Sequence, residues 1–311
     1  MPTNVTVNSG YAGKVAGEII GQAWAETDTL RLGLVSVANN VNYEFSLRKI
    51  RYSDGTVDYS CGHVPAGAVV LSEKKIVPKK LKNDLEVCKE IFRQTWSEDS
   101  MGASASNPNA PSDIMEAITL EVLSSQAKKV NSDIWSGNAG TVGQFGGFIP
   151  QFEADSDVIK ANNGITPIGA DITELNVLDE LKKALSAIPN TMRRNNLTVL
   201  VSSDVYQAYW FYLVSKGVAT MADTGERRIG FGQYMLTEVN ELPANTIIIY
   251  EKENLWFVNG LEGDHNELAL QDEDEIGLLT GLVRGKIVYN GGTGYYNGEE
   301  IVYYKADTTP A

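Results

Sequence analysis

The stretch SDIMEAITLEVLSSQAKKVNSDIW, residues 112–135, decides how the rest of this chain is read. Pro111 and Ser112 stand where a helix opens, with Ser112 able to cap free N–H groups and Asp113 and Glu116 at the positive end of the dipole. Ile114, Ala117, Leu120, Leu123, Ala127, Val130 and Ile134 then recur three or four apart, which places them on one stripe. Gly137 closes the segment. At 1.5 Å per residue the helix is roughly 35 Å long, the width of a small domain. Large apolar side chains contribute roughly 1.5–3 kcal/mol each on burial, so the stripe is worth about as much as the net stability of a domain. A sheet or a second helix must therefore lie against it.

Outward from this helix the chain divides into recognisable parts. Residues 137–147 are glycine-dense, with Gly137, Gly140, Gly143, Gly146 and Gly147, and read as a flexible connection that turns the chain back before Phe148-Ile149-Pro150. Upstream, residues 100–112 form a Ser/Ala/Asn/Pro-rich loop and 91–96 a short helix. Residues 79–89, opened by Pro78, are extended, with Leu81, Leu85 and Val87 interleaved with charge. Val41, Tyr43, Phe45 and Leu47 alternate with Asn42, Glu44, Ser46 and Arg48, the pattern of a half-buried strand. Ser53-Asp54-Gly55-Thr56 supplies turn chemistry, and Val57, Tyr59 and Cys61 alternate on the return. An isolated two-stranded ribbon is marginal in water, so its apolar face rests either on its own core or on another molecule. Residues 1–40 are polar and only patchily periodic, apart from an amphipathic candidate at 15–25. They read as an N-terminal arm that is ordered only when something covers it.

Near Gly164 a second unit begins. Asn176 can cap a helix carrying Leu178, Leu181, Leu185 and Ile188, with Pro189 after it. Residues 197–201 are an apolar run of strand length; Ser202 then opens a helix with Val205, Tyr209 and Leu213, stopped at Gly217. Residues 225–232 form a loop containing Glu226, Arg227 and Arg228, and 246–250 and 255–258 are strands of the same compact α+β unit. The tail returns to β structure: 282–289, a turn at Asn290-Gly291-Gly292, and 301–304.

Composition narrows the function. Forty acidic residues against 26 basic ones leave a formal charge of −14, which opposes a nucleic-acid or anionic-membrane binder. No apolar run approaches the roughly 18 residues of a membrane span, and no secretory signal is read at the start. Two cysteines, Cys61 and Cys88, are too few for a disulfide framework and read as free thiols. Cys61-Gly62-His63 is half of a zinc site at most. His265, beside Asp264 and Glu267, reads as part of a solvated loop; Asp272-Glu273-Asp274-Glu275 lacks the glycine and closing Glu of a calcium loop. Gly291-Gly292-Thr293-Gly294 misses the dinucleotide spacing, and no phosphate-loop, GxSxG or HExxH pattern occurs. Neither a cofactor nor a metal is expected, and the chain reads as a non-enzyme.

The order of parts, together with local wording, carries a resemblance. Tyr59-Ser60-Cys61, Pro65-Ala66-Gly67, Leu71-Ser72-Glu73-Lys74, Pro78-Lys79-Lys80-Leu81, Val87-Cys88-Lys89-Glu90, Trp96, Met101-Gly102-Ala103-Ser104 and Ile134-Trp135-Ser136-Gly137 resemble tailed-phage major capsid proteins of the Hong Kong 97 fold, in particular those of phages of Bacteroidetes-type bacteria. The wording covers mainly residues 59–137, and the order of parts covers the rest. The resemblance implies an α+β fold with an N-terminal arm (1–40), an extended E-loop hairpin (41–72), a P-domain (73–163) with its spine helix (112–135), a compact A-domain (164–275) and a C-terminal β segment (276–311) returning to the P-domain. It also implies an icosahedral shell of hexamers and pentamers that encloses double-stranded DNA without binding it specifically, in keeping with the acidity. Interfaces are then expected at the E-loop tip, Arg51, Tyr52, Ser53, Asp54, Gly55 and Thr56, and at the A-domain axial loop, Glu226, Arg227 and Arg228. The implied partners are many copies of the chain itself, with portal, scaffolding and decoration proteins beside them, and no membrane. The implied location is the virion, after assembly in the bacterial host cytoplasm. Some members crosslink a hairpin lysine to a neighbour's asparagine, for which Lys49 and Asn290 are the conceivable residues. Two rival readings are an encapsulin-type compartment and an acid-dependent hydrolase using carboxylates from Asp264 to Glu275.

Overall fold

The computed structural model describes residues 28–59, 61–62, 67–88, 112–160, 168–194, 197–217, 228–260, 269–274, 277–278 and 280–306. Their helices are α1 (Asp28–Arg31), α2 (Ser112–Ser136), α3 (Phe148–Ala154), α4 (Val177–Ser186) and α5 (Ser203–Ser215). Their strands are β1 (Ser36–Ala38), β2 (Phe45–Ser53), β3 (Ala68–Ile76), β4 (Lys79–Cys88), β5 (Ile159–Lys160), β6 (Leu197–Ser202), β7 (Arg228–Phe231), β8 (Tyr234–Val239), β9 (Thr246–Glu251), β10 (Leu255–Asn259), β11 (Ala269–Asp272), β12 (Leu282–Tyr295) and β13 (Ile301–Lys305). The expected helix at 91–96 and the loop at 100–111 lie outside the described residues.

Helix α2 runs where its stripe and end signals place it. Leu123, Val130 and Ile134 are buried, joined by Trp135, whose Nε1 donates to Thr29 Oγ1 at 2.8 Å. Its exit is set by close approach. A Cβ on Gly137 would lie 2.4 Å from the Phe145 carbonyl oxygen and 2.5 Å from that of Asp133, and Gly147 N donates to Gly137 O at 2.7 Å. The glycine-dense return is therefore cross-tied rather than flexible: Gly140 N donates to Asn138 Oδ1 at 2.9 Å and Asn138 N to Gln144 Oε1 at 3.1 Å. It passes directly into α3, a helix with Pro150 in its first turn. Proline is tolerated in a first helical turn, where its missing N–H has no partner to lose.

In the six-stranded sheet, ordered β5-β13-β9-β6-β8-β7, the central strands β13, β9 and β6 are buried on both faces. Leu197, Val199 and Val201 of β6, Ile247 and Ile249 of β9, and Val302 and Tyr304 of β13 pack with Val177, Leu181 and Val205 of α4 and α5. Leu200, Ile248, Tyr250, Ile301 and Tyr303 pack on the other face with α2, α3 and the second sheet. Two covered faces are why these strands read as unbroken apolar runs instead of alternating ones. Helices α4 and α5 match expectation, and Gly217 at φ +67° ends the second. Their capping side chains do other work. Asn176 Oδ1 accepts from Thr173 N at 2.7 Å, and Ser202 Oγ accepts from Thr246 N at 3.1 Å, tying the helix start to the neighbouring strand.

The second sheet has the order β1-β10-β12-β11, with β4 pairing β12 along its other edge. Three sequence expectations change here. First, Asn290-Gly291-Gly292 is no turn, because β12 runs straight through it. A Cβ on Gly291 would meet the Phe145 ring at 2.8 Å, and one on Gly294 would meet Ile76 Cγ1 at 2.5 Å. These glycines admit side chains from the two opposite faces of the sheet, a use that a sequence cannot separate from a turn. Second, β9 and β10, read as parts of one unit, join different sheets: β9 pairs β6 and β13, while β10 pairs β1 and β12. Third, residues 28–38 are not an arm awaiting cover. Thr29, Leu34 and Val35 are buried in the chain's own core, Tyr250 Oη donates to Leu34 O at 2.5 Å, and β1 pairs in parallel with β10. Residues 1–27 lie outside the described part.

Candidate assembly surface on the hairpin

Strands β2 and β3 form a separate antiparallel ladder from Phe45↔Ile76 at the root to Ser53↔Ala68 at the outer end, about 30 Å by strand geometry. This corrects the expected hairpin. The return strand is 68–76 and not 57–61, and Ser53-Asp54-Gly55-Thr56 begins a longer connection. The turn chemistry at Asp54 is real but local: its Oδ1 accepts from Thr56 N at 2.9 Å and Thr56 Oγ1 at 2.6 Å, which holds the Asp54 carboxyl below its ordinary value. The missed signal was Val69-Val70-Leu71, followed by enough residues before Pro78 to match β2 in length.

Residues opposite one another in an antiparallel ladder share a face, so the register sorts the hairpin into two. The inner face carries Phe45, Leu47, Lys49 and Arg51 with Ile76, Lys74, Ser72 and Val70. Leu47 and Ile76 pack with Val258, and Phe45 lies 5.4 Å from Trp256 between ring centres. Farther out, Lys74 Nζ stands 3.2 Å from the centre of the Tyr295 ring and 3.4 Å from Asp155 Oδ2, which also accepts from Tyr295 Oη. Burial holds the Lys74 ammonium below its ordinary value against the pull of Asp155. Burial pushes the Asp155 carboxyl up, but the Tyr295 hydroxyl, the Asp157 N–H and Lys74 outweigh it and leave it below the usual carboxylate range. Lys49 Nζ donates to Asn297 Oδ1, and the Arg51 guanidinium pairs with Glu299.

The outer face begins with Ser46, Lys75, Arg48 and Glu73 and ends in apolar side chains. Ile50 (67% exposed), Leu71 (70%), Tyr52 (67%) and Val69 (62%) form two adjacent pairs that no described part of the chain covers. Soluble chains scatter single apolar residues over their surface; a paired apolar cluster on the open face of a ribbon is the feature associated with contact surfaces.

The other expected sites divide between described and undescribed residues. Arg228 opens β7 opposite Thr237, so that part of the expected axial loop is strand, while Glu226 and Arg227 lie outside the described residues. Asn290 is buried in β12 and Lys49 meets Asn297 instead. Cys61 is exposed; His63, His265, Asp264 and Glu275 lie outside the described residues. The acidic turn is used structurally: Glu273 pairs with Arg284 Nη1 at 2.6 Å, Asp272 Oδ1 accepts from Asp274 N at 3.0 Å, and Asp274 Oδ1 accepts from Gly281 N at 2.9 Å. Among the described residues no cluster of three or more His, Cys, Asp and Glu is placed to hold a metal, and no helix is long and apolar enough to cross a membrane.

No family model matches the chain, and no curated protein does either. Solved structures do. The capsid of the native GTA particle matches with a TM-score of 0.62 at 14% identity, over 90% of this chain and 90% of that one. A satellite phage P4 procapsid that includes the size determination protein matches at 0.55 and 12% identity, over 96% of this chain and 93% of that one. A virus-like particle from Pyrococcus furiosus matches at 0.53 and 14% identity, over 94% and 98%. At such low identity the likeness speaks for the fold, and it spans nearly the whole chain in each case. The fold of this protein is that of the subunits of phage and phage-like capsids.

Proposed function

We propose that the chain is a major capsid subunit of the Hong Kong 97 type, a structural protein without catalysis that assembles through hexamers and pentamers into an icosahedral phage head around double-stranded DNA. In this reading β2–β3 is the E-loop, α2 the spine helix, and the region from α4 to β9 the body of the A-domain. Arg51 to Thr56 at the E-loop tip, and Glu226, Arg227 and Arg228 near the capsomer axis, would meet neighbouring copies. Portal, scaffolding and decoration proteins would be secondary partners. Assembly would take place in the cytoplasm of a bacterial host.

The observation that carries the reading is the uncovered apolar outer face of the hairpin in a chain with a capsid fold. At about two-thirds exposure, covering each of its four side chains is worth roughly 1–2 kcal/mol, so the patch supplies a useful share of a subunit contact before ordering costs. The net charge of −14 opposes close packing of copies, and screening over roughly 8 Å at physiological salt leaves apolar burial to outweigh it.

The test is assembly of an Ile50→Glu/Leu71→Glu double variant. Wild type is expected to sediment as capsomers or megadalton shells; the variant is expected to remain subunit-sized with an unchanged circular dichroism spectrum. A variant that assembles like wild type, or a wild type that stays monomeric at high concentration, overturns the reading. The second reading is an encapsulin-type, protein-filled compartment. Nuclease-protected DNA inside purified particles, as against protein cargo, separates the two.

A further inference from the structure

The inner face of the hairpin is attached in two different ways, and the difference has a mechanical consequence. At the root the contact is apolar: Phe45, Leu47 and Ile76 lie on Trp256 and Val258. Along the shaft it is ionic and hydrogen-bonded, and beyond Lys74 both anchoring side chains, Lys49 and Arg51, reach one short segment, residues 297–299. That segment is held firmly by the body. The buried Asn254 accepts from Tyr296 N at 3.0 Å and from Asn297 N at 2.8 Å through Oδ1, and donates from Nδ2 to Asn297 O at 2.8 Å. Gly298 approaches so closely that a Cβ there would sit 3.1 Å from that of Asp157. Lys49 and Arg51 therefore bind a fixed platform, while the ladder they belong to has no other described contact outward of Lys74.

We propose that residues 297–299 are a catch that sets the angle of the outer hairpin, and that its five outer ladder pairs swing together, pivoting at Leu47↔Lys74, when Lys49 and Arg51 let go. The catch is separable from the root because the two rely on different physics. The Arg51–Glu299 pair is about half exposed on both sides and weakens with added salt, whereas the packing of Leu47 and Ile76 on Val258 does not. The Lys74–Asp155–Tyr295 cluster, nearer the root and partly buried, bounds the swing: it holds β3 at Lys74 while the outer five ladder pairs, Lys49↔Ser72 to Ser53↔Ala68, remain free to lift. The outer apolar face turns with them, so the catch controls the direction in which that face is presented. The inference concerns the single chain and holds whether or not copies form a shell.

The experiment is a spin-label distance measurement on the full-length chain. One label is placed at Asp58 on the connection beyond the hairpin and one at Lys182 on α4, in a Cys61→Ser/Cys88→Ser background, with labelled chains diluted among unlabelled ones. Wild type at low salt is expected to give one narrow distance distribution. Lys49→Gln/Arg51→Gln, or wild type in 1 M salt, is expected to broaden and shift it. An Arg51→Glu/Glu299→Arg exchange is expected to restore a narrow distribution that neither single change gives. Hairpin amide exchange distinguishes swinging from melting, since the ladder should stay protected in every variant. An unchanged distribution in the double variant, or loss of ladder protection alongside the broadening, overturns the proposal.

Discussion

Gly291 offers the sharpest test of how this core is built, because two explanations of the same glycine predict different energetics. In the structure it lies mid-strand, opposite Lys79, and an added Cβ would stand 2.8 Å from both Cδ1 and Cε1 of Phe145. Carbon atoms pack favourably at about 3.5–4.0 Å, so the methyl group intrudes by about an ångström. Phe145 is fully buried and packs 6.0 Å from the Phe257 ring, so it can yield only against its core neighbours. Gly291→Ala is therefore expected to cost about 1–3 kcal/mol, the usual penalty of overpacking. In a chain of this size that is a fall in Tm of about 2 °C per kcal/mol. Phe145→Leu by itself should cost about 1–2 kcal/mol, less than the roughly 3–5 kcal/mol of full truncation. The decisive measurement is the double variant, followed by urea unfolding of the unassembled subunit. Removing the ring edge makes room for the methyl, so the two changes together should cost at least about 1 kcal/mol less than their sum, well outside ordinary additivity error. A glycine needed for turn conformation would instead be penalised whatever occupies position 145. Additive costs would refute the close-approach account of β12.

Further outcomes follow from the same contacts. Phe152, fully buried with Tyr295 at 5.3 Å and Phe148 and Tyr303 at 6.0 Å between ring centres, should lose about 3–5 kcal/mol on change to Ala, while Phe211→Ala on the exposed side of α5 should stay within about 0.5 kcal/mol by calorimetry. Thr29→Val leaves the Trp135 N–H buried without its acceptor and should cost about 1–3 kcal/mol, showing that residues near position 29 belong to the folded core. Asp155 and Asp133 should respond to pH with opposite sign. Asp155 has a lowered pKa, so its stabilisation is complete above its unfolded value of about 3.9 and is lost as pH falls through the folded value; Asp155→Asn should be less stable than wild type at neutral pH and equal to it in strong acid. Burial raises the Asp133 pKa despite Lys129, so its penalty is absent below the unfolded value and grows as pH rises through the folded one. Asp133→Asn should then gain on wild type at neutral pH and lose that gain in acid, read from melting curves across the pH range.

What the amino-acid sequence determined by itself were the elements whose signal is local. Helix α2 carries its period, its opening at Ser112 and its stop at Gly137 within one stretch, and β4, β6, α4 and α5 likewise announce themselves by spacing and flanking residues. Tertiary structure alone decided whatever depends on a partner distant in the chain. Nothing near Gly291 or Gly294 says that Phe145 and Ile76 will lie over them, so glycines that admit rings look like glycines that turn the chain. Nothing near residue 30 says that Trp135 and Tyr250 will hold it, so a core segment looks like a loose arm. The alternation of β2 gave an apolar inner edge at Phe45 and Leu47, but only the register with β3 gathers Ile50, Tyr52, Val69 and Leu71 on one uncovered face, and only the fold brings Asn297 and Glu299 to meet Lys49 and Arg51. Periodicity reports which way a side chain points; what it points at is settled when segments some 250 residues apart, Lys49 and Asn297 among them, are brought together.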